Sequence, residues 1–362
     1  MSPEDQEGGK GVPGAESGEA APIDSTAALA RHLGLSRWTV SRVLNGHGGV
    51  RAETRERVRR AMRESGFEPN LYARSLRGGR TRTIGVCIQE LDSPSLSRKV
   101  AELQDEFRRR DYHSLLELTA RDHSLEERVL RHFLNLKIDG IVGIGTCLSP
   151  TSALVRELED SAIPVLLVDP ETILPFPIVE VDRAAATRLM LEFLWAEGHR
   201  CFGLAGFDPD YTYSAYRLEG VAEFFRENPL DGPVWSLFER GTVRHDFSYG
   251  DRLAESIAAG PVLPSAILAV NDRVAVGLLA GLGRRGLDLA VVGHDNLDFA
   301  PYFDPPLTTV DQRTSVLMKT AAGGLVGWLE TGDIPPRRTR LPTELKVRES
   351  HRCVPGLGRG SR

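Results

Sequence analysis

The sequence predicts an α/β protein in which a small all-α helix-turn-helix headpiece and a hinge helix precede a two-lobe body of doubly wound parallel sheets. Three observations favour this fold class. Three short helical patterns follow one another between residues 25 and 65. From Thr83, two series of apolar strands alternate with amphipathic helices, which is typical of parallel α/β sheets. The charge changes sign at the same place, because a basic segment precedes an acidic body.

The composition of the 362 residues excludes several classes of protein. The apolar share of 41% and the charged share of 26% are ordinary for a globular chain with a sizeable core. The 4 cysteines are far apart and form no CxxC pair, so we expect no disulfide scaffold and no zinc site. No apolar run is long enough to cross a membrane, and residues 1–22 do not resemble a secretory signal. We therefore expect a cytoplasmic protein without a metal or a cofactor.

The charge distribution points to a nucleic-acid-binding module. Residues 23–82 contain thirteen Arg, no Lys and five acidic residues, a net charge of +8, whereas the whole chain carries −5. A compact basic segment joined to an acidic body is the expected electrostatic pattern of such a module. The alternative is an Arg-rich composition in which the charge is scattered by chance.

Capping residues and glycines define the three helices of the headpiece. Gly34 and Gly66 end the first and third helical patterns, and Ser36 can cap the second. A helix, a short turn that contains glycine and a second helix form the outline of a helix-turn-helix motif. The predicted helices cover Thr26–His32, Ser36 to Leu44 and Ala52–Ser65.

The second helix has one apolar and one polar side. At 100° per residue, Val40, Val43 and Leu44 lie together on the side that would face the core. An arginine can bind guanine through two hydrogen bonds in the major groove, and an indole can contact a thymine methyl group. The alternative is a solvated helix face with its Trp folded back on the core. The opposite side carries Arg37, Trp38, Ser41, Arg42 and Asn45.

Several motifs together resemble one known family. They are ARHLGLSRWTVSRVLNG at 30–46, ETRERV at 53–58, GFEPN at 66–70, ARSL at 73–76 and TIGV at 83–86. The chain is similar, from about residue 25 to 350, to the LacI/GalR (lactose/purine repressor) family of bacterial transcriptional regulators. The resemblance implies that Arg37, Trp38 and Arg42 read bases. It also implies that Thr39, Ser41 and Asn45 contact the DNA backbone or adjoining bases.

The headpiece departs from the family pattern at three places. Ala27 and Ala28 stand where members usually have an acidic residue. Arg51 stands where a Ser or Asp usually caps the third helix, and a missing cap costs about 1 kcal/mol. Trp38 is uncommon at its position, so the operator sequence cannot be copied from a relative.

The segment Asn70–Arg77 is predicted to form a hinge helix. A helix of about seven residues is marginal by itself and needs a packing partner. The resemblance implies that two such helices of a homodimer pair in the minor groove, where Leu76 would wedge a base step open and Ala73 would allow a close approach. The alternative is a flexible tether with incidental leucines.

The body resembles periplasmic sugar-binding proteins, so we expect a periplasmic-binding-protein-like fold. Ligands of open parallel sheets lie beyond the carboxyl ends of the strands. Polar groups and aromatic rings at these ends suit a polyhydroxylated ligand, although each residue could instead cap a strand or form an interlobe ion pair. Asp272 is expected to cap the following helix rather than to bind ligand. The candidate effector-binding residues are Ser95, Leu96, Thr146, Asp169, Tyr211, Arg217, Asn271 and Asp295.

The domain boundaries follow from these patterns. Three crossovers near Asp182, Asp311 and Leu341 would act as a hinge between the lobes. We expect a disordered tail over 1–22, the headpiece over 23–68, the hinge helix and linker over 69–82, the body over 83–351 and a second disordered tail over 352–362. Lobe 1 is expected at about 83–182 and 312–340, and lobe 2 at about 183–310 and 342–351.

These interpretations predict a sequence-specific DNA-binding regulator, expected to be a repressor, that binds a pseudo-palindromic operator as a homodimer. A small polar effector, a sugar or a sugar derivative, would bind between the lobes and control it. The alternative is a cytosolic sugar-binding protein without a role in DNA regulation. An enzyme is disfavoured, because the chain lacks the GxGxxG, GxxxxGK, HExxH and GxSxG motifs.

Overall fold

The computed structural model describes residues 23–44, 48–67, 80–229, 234–237, 239 and 244–352. They belong to two compact units, and the chain passes from the first to the second between Thr81 and Arg82. The whole predicted hinge helix, Asn70–Arg77, and both predicted tails, apart from residue 352, lie outside these residues. Among the described helices, none has the length and apolar character needed to cross a membrane.

The first unit contains three helices around a small core. Leu29, Val40 and Val58, one from each helix, are completely buried and pack with Phe67. All three predicted helices are confirmed, and the first extends one residue further than predicted. Their bounds are Thr26–Leu33 (α1), Arg37–Leu44 (α2) and Ala52–Ser65 (α3).

The helix ends behave as their residues predict. The hydroxyl oxygens of Ser25 and Ser36 accept hydrogen bonds from the backbone amides of Ala28 (3.1 Å) and Thr39 (3.0 Å) at the starts of α1 and α2. Gly34, with φ 64°, ends α1 in the left-handed conformation that favours glycine. Arg51 precedes α3 and makes no side-chain capping bond, so this helix lacks the side-chain cap that a Ser or Asp would provide.

The second unit contains two six-stranded sheets, each with one lobe built around it. The first has the strand order β11-β5-β4-β3-β1-β2, and all its pairs are parallel. Its strands are Thr83–Ile88 (β1), His113–Leu118 (β2), Gly140–Ile144 (β3), Val165–Val168 (β4), Ile178–Val181 (β5) and Arg338–Leu341 (β11). The helices that cover it are Pro94–Arg108 (α4), His123–Leu136 (α5), Ala153–Asp160 (α6) and Thr314–Thr331 (α11).

The second sheet has the order β12-β10-β9-β8-β6-β7 and is parallel except for β12, which pairs antiparallel with β10. Its strands are Phe202–Ala205 (β6), Trp235–Leu237 (β7), Ala266–Ala269 (β8), Ala290–His294 (β9), Thr308–Asp311 (β10) and Glu344–Lys346 (β12). The helices of this lobe are Arg183–Ala196 (α7), Thr212–Glu227 (α8), Phe247–Ala258 (α9) and Asp272–Arg284 (α10). The predicted doubly wound α/β fold is therefore confirmed, with one antiparallel edge strand added.

The chain crosses between the two sheets three times, after Val181, after Asp311 and after Leu341. The helix α11 follows a strand of the second sheet but packs on the first, where Leu317, Met318 and Leu325 join the core beneath β1, β3 and β4. Both lobes are thus assembled from separate stretches of the chain. The crossovers leave the carboxyl ends of both sheets facing a common cavity.

Candidate functional site

The outward face of α2 is the first candidate site. Trp38 is 65% exposed, whereas Val40 on the opposite face is completely buried. The alternative in which the indole folds back on the core is therefore wrong. Arg37 is also exposed, and the ion pair recorded in the described part of the headpiece lies elsewhere, between Arg63 and Glu56 on α3.

The Arg42 side chain contacts the Gly48 carbonyl and the Trp38 ring. Its Nε donates a hydrogen bond of 3.2 Å to the carbonyl oxygen of Gly48, and one of its terminal nitrogens donates to the same oxygen. Its guanidinium carbon lies 4.8 Å from the centre of the Trp38 ring. Trp38 and Arg42 therefore form a continuous cationic and aromatic surface on α2.

The other predicted headpiece residues are placed differently. The Thr39 hydroxyl lies 2.8 Å from the Ser36 hydroxyl, so this side chain takes part in the cap of α2. Ser41 is half-buried and has an interaction partner within the structure. Asn45, Ala73 and Leu76 lie outside the described residues.

The second candidate site is the cavity between the lobes of the body. Its volume is about 170 Å³, and residues that follow β1, β4, β8 and β9 contribute to its wall. The site therefore lies where open parallel sheets bind their ligands. Of the eight predicted effector-binding residues, six line it: Ser95, Leu96, Asp169, Arg217, Asn271 and Asp295.

The remaining two predicted residues, Thr146 and Tyr211, do not line the cavity. Thr146 is buried, and its hydroxyl packs over Gly143 of β3. Gly145, which has a left-handed backbone conformation, lines the cavity in place of Thr146. The Tyr211 ring stacks on the ring of Tyr213, with centroids 5.4 Å apart. Tyr213, one residue into α8, provides the aromatic surface that we expected from Tyr211.

Asp169 is fully engaged by protein groups. Its Oδ2 accepts a hydrogen bond of 2.6 Å from Lys99 on α4, and its Oδ1 accepts one of 2.7 Å from Arg183, the first residue of α7. The backbone amide of Val181 donates a third bond of 3.0 Å. The two cations hold the pKa of Asp169 far below its usual range, although burial of the side chain acts in the opposite direction. Asp169 therefore joins the two lobes in the wall of the cavity.

Arg217, unlike Asp169, is a buried charged residue without an ion-pair partner among the described residues. It is only 4% exposed, its Nη1 donates a bond of 3.3 Å to the Tyr213 carbonyl, and its Nε has no acceptor. No carboxylate of the described residues lies within 4 Å of its guanidinium. Burial, together with the nearby Arg183, lowers the pKa of Arg217 to about 10. The side chain is thus still charged at neutral pH.

Asp295 follows β9 and has φ 125°, an unusual backbone conformation at a cavity wall. Its Oδ1 accepts a hydrogen bond from the side-chain amide of Gln312 and lies 3.3 Å from Nδ1 of His294. His294 is completely buried, and this burial lowers its pKa to about 4, so it is neutral at physiological pH. Asp295 is therefore held in place by neutral partners.

The prediction that Asp272 caps the helix that follows it is wrong, because the cap is the preceding residue. The cap of α10 is Asn271, whose backbone is extended and whose Oδ1 accepts a bond of 2.8 Å from the amide of Val274. The Asn271 side chain also donates to the backbone carbonyl of His245 at 2.9 Å. Asp272 is buried inside the lobe, where it accepts bonds from Leu297 and Thr309, and burial raises its pKa.

The cavity contains functional groups that the sequence interpretation missed. Arg121 forms an ion pair of 3.0 Å with Glu171 in the wall. At the mouth, Arg273 of lobe 2 donates a bond of 3.3 Å to the backbone carbonyl of Asp92 in lobe 1. Arg121 and Glu171 each follow a strand by three residues, and Arg273 is the second residue of α10, so a wider search of the strand ends would have found them. In the described part of the chain, no group of His, Cys, Asp and Glu is arranged to hold a metal ion.

Comparison with known proteins supports both halves of this architecture. The model of bacterial regulatory proteins of the lacI family matches residues 28–70, and that of the periplasmic binding protein-like domain matches residues 191–351. The HTH-type transcriptional repressor CytR of Escherichia coli (strain K12) is 26% identical over 340 residues, which cover 91% of this chain and 98% of CytR.

Two solved structures share the fold over nearly the whole chain. The lac repressor dimer bound to operator and the anti-inducer ONPF matches with a TM-score of 0.79 and 25% identity, covering 90% of this chain and 98% of the repressor. The complex of the transcriptional regulator CelR with cellobiose matches with a TM-score of 0.65 and 25% identity, covering 90% and 99% of the two chains. The chain thus combines a DNA-binding domain of the lacI family of bacterial regulatory proteins with a periplasmic binding protein-like domain, and its homologues are transcriptional regulators of the LacI family rather than enzymes.

Proposed function

We propose that this regulator is a cytoplasmic repressor that binds a pseudo-palindromic operator as a homodimer and responds to a small polar effector in the cavity between its lobes. The observation that carries the DNA-binding half is the outward face of α2, where Arg37 and Trp38 are exposed beside Arg42. These groups match what major-groove readout requires: guanidinium forks for guanine and a flat apolar ring for a thymine methyl group.

Each half-site would be read mainly by Arg37, Trp38 and Arg42. Thr39, Ser41 and Asn45 would contact phosphates or adjoining bases and set the position of the helix. Leu76, with the small Ala73 beside it in sequence, would wedge a base step open in the minor groove. A two-fold symmetric protein requires a two-fold symmetric site, so a homodimer predicts a pseudo-palindrome.

The effector would bind in the cavity that six of the predicted residues line. Arg217 and Asp295 offer hydrogen-bond donors and acceptors to a polyhydroxylated molecule, and the Tyr213 ring offers it an apolar face. The relative CelR is described as a complex with cellobiose, which supports a sugar or a sugar derivative. Asp169 and Asn271 would contribute mainly by holding the cavity wall in shape, since their side chains are already hydrogen-bonded.

The coupling between effector and DNA would run through the three crossovers. A ligand that contacts both lobes favours one lobe angle over another, and such coupling is typically worth about 1–3 kcal/mol. The sign of the response follows from which lobe angle the ligand prefers.

A selection from random duplexes with the full-length protein tests the proposal. We expect a recovered consensus with two-fold symmetry, and a loss of that consensus when Arg37 and Arg42 are both replaced by Ala. A selection without any consensus, combined with intact binding of a sugar in the cavity, would instead favour a sugar-binding protein without a role in DNA regulation.

A further inference from the structure

Arg217 lies in the cavity as a buried cation, and no carboxylate of the described residues lies within 4 Å of its guanidinium. It is 4% exposed, and the contacts recorded for its guanidinium are the Tyr213 backbone carbonyl and the Tyr213 ring, whose centre is 5.7 Å away. A buried charge without a partner is costly, and proteins usually pair it or bring it a ligand. We propose that the effector carries an anionic group, a carboxylate or a phosphate ester, that binds to Arg217.

Three carboxylates of the cavity wall, Asp169, Glu171 and Asp295, are already hydrogen-bonded to other groups. Asp169 is shared by Lys99 and Arg183, and Glu171 pairs with Arg121. Asp295 accepts a hydrogen bond from Gln312, and its carboxylate is more than 4 Å from Arg217. The positive charge of Arg217 is therefore left to the ligand.

The electrostatics of Arg217 agree with this assignment. Burial and Arg183 lower the pKa of Arg217 to about 10, even though the Asp295 carboxylate acts in the opposite direction. Burial and Arg183 together thus disfavour the charged form of Arg217. A bound anion would reverse this effect, because an opposite charge in contact favours the charged form.

The unused donors of the cavity point the same way. Arg121, Arg183 and Arg217 all line the cavity, and in each of them the buried Nε has no hydrogen-bond acceptor. A neutral hydroxyl can accept a hydrogen bond, but it does not neutralise a guanidinium. Carboxylates and phosphates present several anionic oxygens and bind arginine through strong, often paired hydrogen bonds.

An anionic effector requires the effector-binding half of the proposed function but not its DNA-binding half. It is tested with full-length protein in sodium chloride, sodium acetate and sodium phosphate of equal ionic strength, at millimolar anion concentration. The readouts are the thermal unfolding midpoint and the dissociation constant from calorimetry. We expect acetate, phosphate or both to raise the midpoint above that in chloride, and the better anion identifies a carboxylate or a phosphate.

Two variants make the measurement specific to Arg217. Phosphate stabilises many folded proteins without specific binding, so the relevant quantity is the difference between the wild type and Arg217→Met. This variant removes an uncompensated buried charge and should unfold at an equal or higher temperature in chloride. Its anion binding should be weaker by tenfold or more, on the order expected for a charge-assisted contact. Arg226→Met, at an exposed position of the same helix, should respond like the wild type.

The outcomes are separable. Equal midpoints in all three salts, or an anion response that Arg217→Met retains, overturn the inference. Protection by neutral D-glucose or D-ribose without any anion response overturns it as well, but leaves an effector cavity in place. An anion response that depends on Arg217 supports the inference even if the duplex selection yields no consensus, in which case the proposed DNA-binding function fails by itself. If Arg217→Met does not fold, Arg217→Lys, which keeps the charge but loses the fork, should retain only part of the response.

Discussion

The carboxylate of Asp169 accepts a hydrogen bond of 2.7 Å from the guanidinium of Arg183, and this ion pair joins the two lobes of the body. Asp169 follows β4 in lobe 1, and Arg183 is the first residue of α7 in lobe 2. Lys99 completes the cluster from the other side of the carboxylate. Because all three side chains are buried, the cluster makes the contact between the lobes sensitive to any loss of charge balance.

Asp169→Ala should strongly destabilise the body, because it leaves two buried cations without their shared partner. The expected loss in the free energy of unfolding is about 3–5 kcal/mol, measured by urea denaturation near pH 7. Glu227→Gln, which removes an exposed pair with Arg188, is the matched control and should leave the transition unchanged. Equal transitions for the two variants would contradict the role assigned to Asp169.

Arg42→Ala should weaken binding to the selected operator by about 1–3 kcal/mol per half-site and largely spare binding to random duplexes. The reason is that a base-reading arginine contributes to specificity, whereas phosphate contacts contribute to every sequence alike. Fluorescence anisotropy at fixed salt measures both constants. Arg63→Ala, on the α3 side of the headpiece, should leave the ratio of the two constants unchanged. An equal loss on both duplexes would show that Arg42 contacts the DNA backbone.

Leu76→Ala should reduce both the bend of the operator and the affinity for it, because a methyl group cannot wedge a base step apart as a leucine can. The bend is measured by energy transfer between dyes at the two ends of a labelled duplex. The unfolding midpoint of the body and its response to added anions should not change. A bend angle equal to that of the wild type would rule out the wedge.

His245→Phe should reduce the dependence of stability on pH in mildly acidic solution. Burial, with Arg121 and Arg217 nearby, lowers the pKa of His245 from 6.5 to about 4. Between these values the unfolded chain binds more protons than the folded one. The contribution of neutral His245 to the free energy of unfolding is therefore fully present above pH 6.5 and is lost as the pH falls towards 4. His245 accounts for up to about 3 kcal/mol of this loss, from 1.36 kcal/mol per pKa unit.

Phenylalanine suits this test because it keeps a ring among Tyr211, Tyr213 and Tyr249 but cannot take up a proton. Denaturation curves at pH 5 and pH 7 give the difference in stability for each protein. That difference should be smaller in the variant than in the wild type. The same difference in both proteins would show that His245 does not contribute.

Local patterns predicted the headpiece well. Gly34, Gly66 and Ser36 act through the backbone of their own helices, so their effect can be read from neighbouring residues. The amphipathic pattern of α2 placed Trp38 outside and Val40 inside for the same reason. The ion pairs and packing of the cavity depend on distant parts of the chain, which a local pattern does not contain.

Several contacts of the cavity could not be predicted from local sequence patterns. Lys99 lies 70 positions before Asp169, and in the sequence it is one charged residue in an amphipathic helix. Asn271 and Asp272 are both good caps, and only the backbone angles decide that the helix begins after Asn271. Tyr213 replaces Tyr211 at the cavity because the start of α8 sets which ring points inward, and sequence patterns locate helix ends to within a few residues at best.

The last two strands have a consequence for truncated forms of this protein. β11 is the outermost strand of the first sheet, and β12, only three positions later, is the outermost strand of the second. A premature stop codon just before Arg338 would strip an edge from both lobes at once and leave two rows of backbone groups open to aggregation. The lobes therefore cannot be exchanged between relatives as contiguous gene fragments, whereas the headpiece can be exchanged by a single recombination event near Thr81.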